Sequence, residues 1–158
     1  MNISIICVGK IKEKFFRDAL AEYAKRLSRF AKFEIIEVKD EKIPDNPSDK
    51  EISAILEKEG AAIISKLPKN SRVIAMCIEG KELSSTDLAY KIAEMSMTAG
   101  HIAFIIGGSL GLSEKVKSLS DLRLSFGKIT LPHQLMRIVL AEQIYRAFKI
   151  NAGECYHK

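Results

Sequence analysis

The amino-acid sequence predicts an α/β fold: a mostly parallel sheet with helices on both faces. Short apolar runs typical of strands alternate along the chain with longer segments whose apolar residues recur every three or four positions. The run at residues 102–106, Ile-Ala-Phe-Ile-Ile, is apolar throughout, as expected for a strand covered on both faces. With 158 residues and 47% apolar content, residues 1–158 fit a single domain with a substantial core.

The first half of the chain predicts two strands, each followed by a helix. The strands lie at residues 3–8 and 33–38. The first helix runs from about residue 15 to 29, where the apolar residues form one stripe suited to burial. The second helix extends to about residue 67 and begins at Ser-Asp-Lys-Glu, residues 48–51, which has the pattern of a capping box.

The second half continues the alternation. A third strand is predicted at residues 73–78, ending at Glu79-Gly80-Lys81, and a helix at about 86–98 follows it. Two further strands, at 102–106 and 122–126, precede a long apolar helix at 133–150.

Two glycine-bearing turns lie after the last two predicted strands. The first, residues 107–111, has three glycines in five positions, which implies positive φ angles and close approach of the backbone to a neighbour or ligand. The second is Gly127-Lys128-Ile129-Thr130-Leu131-Pro132. Two such strands on one sheet edge form a crevice at their carboxyl ends, where open α/β sheets bind ligands. We therefore predict the active site in this crevice.

The net charge of +5, from 25 basic and 20 acidic residues, does not by itself indicate a nucleic-acid partner. Residues 123–158 are richer in basic residues, which predicts an electropositive site region that attracts a phosphate-bearing substrate. The alternative is that these basic residues simply lie on solvated helix faces. The basic residues of this segment are Arg123, Lys128, Arg137, Arg146, Lys149 and Lys158, against Glu142 and Glu154.

The cysteines indicate neither a disulfide framework nor a metal site. Cys7, Cys77 and Cys155 are odd in number, widely separated and outside any Cys/His cluster, as in a protein with reduced thiols. The apolar run at residues 3–8 is too short for a signal peptide, and no segment approaches the roughly 20 apolar residues of a membrane span. We expect a soluble, cytoplasmic protein without a metal.

The last predicted helix is apolar around most of its circumference, which is more than packing against one sheet requires. In a chain of this size the additional face can meet a second copy, so we predict a homodimer built around this C-terminal helix. The alternative is a core helix of a monomer.

The turn at residues 107–111 also matches G-x-S-x-G, the nucleophile elbow of α/β-hydrolases, with Ser109 as the nucleophile and Asp121 and His133 following in the right order. Against a serine hydrolase stand the small chain, the short helix after the turn and a second glycine-bearing turn left without a role. A dinucleotide-binding fingerprint after the first strand is absent. A non-catalytic RNA-binding module is the third alternative.

Several side chains near the predicted crevice can carry chemistry. His133 is either a general base or a helix cap, and Tyr156 and His157 in the tail 151–158 can supply a phenol and an imidazole if the tail packs over the crevice of its own or a partner subunit. The basic residues after the first strand are phosphate contacts or simply an exposed helix start, namely Lys10, Lys12, Lys14 and Arg17.

Motifs distributed along the whole chain resemble the RlmH family. They are Ile-Cys-Val-Gly-Lys, Glu-Lys-Glu-Gly, Phe-Ile-Ile-Gly-Gly-Ser-x-Gly-Leu, Leu-Pro-His-Gln-Leu-Met-Arg, Glu-Gln-Ile-Tyr-Arg-Ala-x-x-Ile and a final Tyr-His-Lys. Members of that family are SPOUT-class methyltransferases that modify N3 of a pseudouridine in helix 69 of 23S ribosomal RNA. The resemblance covers essentially all of the chain.

The resemblance implies a C-terminal trefoil knot, which is rare among folds, a homodimer and S-adenosylmethionine bound in a bent conformation by the knot loops. It implies His157, Tyr156 and His133 as candidates for the base, with Arg137 holding phosphate or the developing oxyanion. Because the 158 residues include no separate RNA-binding domain, we further predict action on the assembled ribosome. The cofactor-binding residues implied are Met76, Gly107, Phe126, Gly127, Lys128, Ile129, Thr130 and Leu131.

Overall fold

Strands and helices alternate along the chain in the computed structural model, which describes residues 1–154. In chain order the elements are β1 (Asn2–Val8), α1 (Lys14–Leu27), β2 (Lys32–Val38), α2 (Asp49–Ser65), β3 (Arg72–Glu82), α3 (Ser85–Ser96), β4 (His101–Ile106), α4 (Glu114–Leu119), β5 (Leu122–Ser125) and α5 (His133–Asn151).

The five strands form one sheet in the order β2-β1-β4-β3-β5, and every pairing is parallel. All carboxyl ends therefore meet at one edge. In β1, Ile3 and Ile5 contribute to one core cluster and Ile6 and Val8 to another, because successive strand residues point to opposite faces. Apolar residues of α1, α3 and α5 join the first cluster, and those of α2 and α4 join the second. The predicted parallel sheet with helices on both faces is confirmed.

The capping box predicted at the start of α2 is confirmed. The Ser48 hydroxyl accepts the backbone N–H of Glu51 at 3.3 Å, and the Glu51 carboxylate accepts the backbone N–H of Ser48 at 2.8 Å. Each residue thus satisfies a backbone donor that the first helical turn leaves free.

The predicted end of β3 at Glu79 is wrong, since the strand continues to Glu82. Met76 pairs with Leu124, and after a register shift Lys81 pairs with Leu124 as well. Residues 77–80 therefore bulge out of the ladder at the carboxyl edge of the sheet. The polar sequence that indicates a strand end instead forms a bulge, which locally disrupts the ladder and re-aims side chains.

The α5 helix lies against α1 and α3 on one face of the sheet. Its buried apolar residues are Leu140, Ala141, Ile144 and Ala147, and every residue from 133 to 150 is at least partly buried in the single chain. Packing within one chain thus accounts for much of the apolar circumference. The homodimer remains a prediction.

In the described part of the chain, no helix combines the length and apolarity needed to cross a membrane.

Candidate active site

A cavity of about 440 Å³ lies at the carboxyl edge of the sheet, where β3, β4 and β5 end. Because β3 lies between β4 and β5, its end forms part of the cavity together with the two predicted turns. Apolar side chains form much of the wall, and the turns add backbone groups. The apolar side chains include Met76, Ile106, Leu112, Leu124, Phe126, Leu131 and Met136.

The first turn follows β4 directly and is closed by its own backbone. The Gly111 N–H donates to the Gly108 carbonyl at 3.0 Å, and the two glycines form an isolated β-bridge. A Cβ at Gly107 would lie 2.3 Å from the Gly111 carbonyl oxygen, so a side chain there would displace the turn. The predicted close approach is thus confirmed at Gly107, whereas positive φ in this turn is confined to Gly111, at 86°.

The second turn is fixed by Ser125, which is 3% exposed. Its hydroxyl accepts the Gly127 N–H at 3.1 Å and donates to the Ile78 carbonyl at 3.0 Å. One buried hydroxyl therefore connects the second turn to the β3 bulge. Gly127 adopts φ of 105°, a conformation that side chains rarely take, and nothing lies within 4 Å of the Cβ position there. This turn borders open space that a ligand can fill.

The β3 bulge brings an ion pair to the cavity wall. Glu79 Oε1 lies 2.5 Å from Lys117 Nζ of α4, and both residues line the cavity. Lys117 Nζ also lies 3.2 Å from the carboxylate of Glu114. The Lys117 hydrogen bond holds the pKa of Glu79 below its ordinary value, and the same bond raises the pKa of Lys117. Both groups are therefore charged at neutral pH.

His133 begins α5 and lines the cavity beside the second turn. The N-cap of α5 is Pro132, so His133 is the first helical residue rather than the cap. Burial lowers its pKa below the ordinary histidine value, and the nearby positive charge of Arg137 lowers the pKa further. At neutral pH the imidazole is consequently uncharged and able to accept a proton.

Arg137 is 1% exposed and does not belong to the cavity wall. Its guanidinium donates to the carbonyls of Val8 and Gly9 at 2.8 and 2.9 Å and to the Glu37 carboxylate at 3.0 Å. These contacts connect α5 to the ends of β1 and β2. Within the single chain Arg137 therefore holds α5 against the ends of β1 and β2, and its phosphate or oxyanion contact stays a prediction.

Most cofactor-binding residues implied by the resemblance come together in the cavity, although Lys128 is exposed and outside its wall. Tyr156 and His157 lie outside the described residues. The residues that do line the cavity are Met76, Gly107, Phe126, Gly127, Ile129, Thr130 and Leu131.

The expected electropositive region is weaker than the count of basic residues indicates. Arg146 pairs with Glu142 and Lys149 with Glu154, two carboxylates already in that count, whereas Arg137 pairs with Glu37 of β2, which lies outside it. The Arg137–Glu37 pair spans 100 residues and depends on the tertiary fold, so a charge count over the C-terminal residues does not reveal it.

Two basic residues lie close to the site in the β1–α1 loop. Lys10 and Lys12 are exposed, and the Lys12 backbone N–H donates to the Gln134 side chain at 3.0 Å, next to His133. Further along, Lys14 pairs with Asp18, and Arg17 donates to the carbonyls of Ile11 and Lys12. Lys10 and Lys12 are thus the better placed of the predicted phosphate contacts.

The structure does not assemble the hydrolase triad. Ser109 is exposed at the carboxyl edge, but Asp121 precedes β5 at the opposite, amino edge of the sheet. There the Asp121 carboxylate accepts the Val73 N–H at 2.7 Å and pairs with Arg72 at 2.7 Å. Sequence order alone had suggested the triad.

Three residues of the site were missed by sequence reasoning: Glu79, Lys117 and Ser125. Glu79 reaches the cavity only through the β3 bulge, and Lys117 only through the packing of α4 on β3. A signal for Ser125 did exist, because a serine two residues before a glycine can accept its N–H in a turn.

A buried carboxyl group lies behind the first turn. Glu59 of α2 is 5% exposed and sits beside Gly108. Its Oε1 accepts the Glu41 N–H at 3.0 Å, whereas Oε2 has no hydrogen-bond partner among the described residues. Burial raises the pKa of Glu59, an effect that the Glu41 N–H opposes and the nearby carboxylates of Asp40 and Glu41 reinforce.

In the described part of the chain, no cluster of three or more His, Cys, Asp or Glu residues could hold a metal ion.

Comparison with known proteins identifies the family. A family profile described as predicted SPOUT methyltransferase matches residues 1–157. Ribosomal RNA large subunit methyltransferase H of Lactiplantibacillus plantarum is 55% identical, and the protein of the same name from Clostridium novyi is 54% identical, each over 100% of both chains. A solved structure, a probable methylase family protein from Haemophilus influenzae Rd KW20, has a TM-score of 0.55 at 14% identity.

That alignment covers 99% of this chain and 70% of the Haemophilus chain, and at such low identity it shows the fold alone. The family profile and the full-length relatives carry the assignment. The chain belongs to the SPOUT methyltransferase family, within it to the ribosomal RNA large subunit methyltransferase H (RlmH) group that its motifs resemble.

Proposed function

We propose that this chain transfers a methyl group from S-adenosylmethionine to N3 of a pseudouridine in helix 69 of 23S ribosomal RNA, acting on the assembled ribosome. One observation carries the proposal: a cavity bounded by two backbone-rich turns lies at the carboxyl edge of a chain that is 54–55% identical, over its whole length, to ribosomal RNA methyltransferases. The position of the cavity matches the general rule for ligands of open parallel sheets.

The cavity suits S-adenosylmethionine in size and chemistry. Its volume of about 440 Å³ falls in the range of roughly 300–1,000 Å³ typical of small-molecule sites. Apolar walls such as Ile106 and Leu131 can cover the faces of an adenine, and the backbone of the two turns offers N–H and C=O groups to its edge. Gly127 leaves open space at the second turn. Of the implied cofactor residues, Lys128 would contribute through its backbone.

When bound, S-adenosylmethionine would supply an electrophilic methyl group on a sulfonium. The residues of the turns would hold it in line with the attacking nitrogen, since alignment supplies much of the rate enhancement in such transfers. The imide N3–H must lose its proton to become a good nucleophile, and a general base contributes roughly 10²–10⁴-fold. His133 is uncharged at neutral pH and lines the cavity, so it can accept that proton. Tyr156 and His157 are the other candidates.

We further propose the trefoil knot, the homodimer and the cytoplasmic location of the family. The proximity of the β1–α1 loop to the start of α5, through Lys12 and Gln134, supports a C-terminal segment that returns across the sheet edge. The half-buried outer residues of α5, such as Leu135 and Val139, leave apolar area for a second copy. Light scattering coupled to size-exclusion chromatography would give twice the chain mass if the dimer forms.

Exposed Lys10 and Lys12 are proposed to contact the phosphate backbone of the RNA. Replacing both with glutamine should weaken ribosome binding and reduce its salt dependence, without changing affinity for the methyl donor. The matched control is Lys115→Gln, an exposed lysine of α4 that does not line the cavity.

The decisive experiment is mass spectrometry of ribosomal RNA from a strain lacking the gene. We expect one methyl group to be missing from a pseudouridine and to return with the wild-type gene; an unchanged modification pattern would refute the proposed substrate. With purified components, ribosomes should be methylated and naked RNA fragments should not.

A calorimetric titration with S-adenosylmethionine distinguishes an enzyme from a bare RNA-binding module, which would show no heat. Ser109→Ala distinguishes a methyltransferase from a hydrolase, because methyl transfer should persist in this variant. Individual replacements His133→Ala, Tyr156→Phe and His157→Ala identify the base as the one that lowers kcat most without weakening binding of the donor.

A further inference from the structure

We propose that the Glu79–Lys117 ion pair binds the amino-acid end of the methyl donor, with Lys117 contacting its carboxylate and Glu79 its ammonium group. This inference rests on the proposed function and deepens it by assigning the donor's specificity to two side chains outside the two turns.

The charge distribution of the cavity points to this pair. Among the described residues that line it, Glu79 and Lys117 are the only ones that carry a full charge at neutral pH. The other wall residues are apolar, contain hydroxyl groups, or are the uncharged His133 and Cys77, whose pKa is raised by burial. Among the described residues of the cavity wall, only Glu79 and Lys117 can therefore place an opposite charge beside each charge of a zwitterionic ligand.

S-adenosylmethionine requires a negative and a positive partner at its amino-acid end. The amino-acid end of S-adenosylmethionine carries an ammonium and a carboxylate, and removing either charge from water without a partner is costly. Glu79 and Lys117 offer one negative and one positive group 2.5 Å apart. A zwitterion can align antiparallel to this pair, with each of its charges beside the opposite charge of the protein.

The two side chains differ in freedom, and both can accommodate the ligand. The Lys117 side chain is 17% exposed and is held by Glu79 and by Glu114, at 3.2 Å. An ammonium has three donors, so Lys117 can keep a hydrogen bond to one protein carboxylate and also donate to the carboxylate of the ligand. The Glu79 side chain is 54% exposed and can rotate toward the ligand's ammonium. The pair is thus a preformed positive site beside an adaptable negative one.

The test compares two ligands that differ only at the proposed contact. S-adenosylhomocysteine carries the amino-acid end, whereas 5′-methylthioadenosine has the same nucleoside and thioether sulfur without it. We expect Lys117→Met and Glu79→Gln each to weaken S-adenosylhomocysteine binding by about tenfold or more in calorimetry, since hydrogen bonds to charged groups contribute strongly. Binding of 5′-methylthioadenosine should change by less than about twofold.

The control is Lys115→Met, which removes a neighbouring lysine of α4 that does not line this cavity and should leave both affinities unchanged. Equal weakening of both ligands in the two test variants would show a purely structural role and overturn the inference, as would unchanged binding of S-adenosylhomocysteine. If Lys117→Met does not fold, Glu79→Gln decides alone, because that side chain is largely exposed. Failure of the wild-type protein to bind either ligand would refute the proposed function itself.

Discussion

Replacing Arg137 by methionine should destabilise the protein strongly although the residue lies outside the cavity wall. The guanidinium is 1% exposed and makes three hydrogen bonds, to the carbonyls of Val8 and Gly9 and to the Glu37 carboxylate. Methionine keeps much of the aliphatic volume, so the change isolates the polar contacts. It removes the guanidinium donors from two carbonyls and from the Glu37 carboxylate, which keeps the Ile11 N–H at 3.0 Å.

The expected loss is about 3–5 kcal/mol in the free energy of unfolding, the usual cost of removing one partner of a buried ion pair. Because the Glu37 side chain is 31% exposed and can recover some hydration, the lower half of that range is expected. For a chain of this size, about 3 kcal/mol corresponds to a fall in Tm of roughly 6–12 °C. Urea unfolding followed by circular dichroism measures the free energy directly.

The matched control is Arg29→Met, which removes an arginine whose side chain is 70% exposed and pairs with Glu154. An exposed pair of this kind contributes about 0–1 kcal/mol, so the control should be nearly neutral. A loss below about 1 kcal/mol in Arg137→Met would refute the structural role assigned here. Loss of ribosome methylation with full stability would instead support the phosphate or oxyanion role that the resemblance implies.

Three further outcomes follow from the site. Titration of His133 by NMR should give a midpoint below 6.5, chiefly because the imidazole is buried. Arg137→Met should raise this midpoint, because the variant removes a nearby positive charge. A midpoint at or above 6.5 in the wild type would contradict the prediction. Glu59→Gln should stabilise the fold by an amount that grows with pH. The raised pKa of Glu59 means that the stability this residue contributes to the wild type at low pH is lost as pH rises through that pKa, whereas glutamine does not ionise. Urea unfolding at pH 5 and pH 8 tests this prediction, and an equal gain in the free energy of unfolding at both pH values would count against it. Gly107→Ala should weaken S-adenosylmethionine binding by at least about tenfold, since the alanine Cβ would lie 2.3 Å from the Gly111 carbonyl oxygen and displace the turn. Wild-type affinity of this variant in calorimetry would contradict the prediction.

Local patterns of the sequence specify most of the fold. Apolar runs such as residues 102–106 and the Ser48–Glu51 capping box depend on neighbours in the chain, and the structure contains both as expected. The two turns were also predictable, because glycine density and the ends of parallel strands together locate a crevice. The motifs extended this to a family, since their order and spacing cover the whole chain.

Only the tertiary structure decided how the cavity wall is charged. Residues 77–80 leave the β3 ladder because Met76 and Lys81 both pair with Leu124, a register that depends on a strand more than 40 residues away. That register brings Glu79 to Lys117, and the tertiary fold likewise brings Arg137 to Glu37, outside the cavity wall. Charge pairing is set by distances in space, which sequence separation does not report. The sequence by itself therefore determined the elements, the turns and the family, and the folded chain determined which charged groups meet.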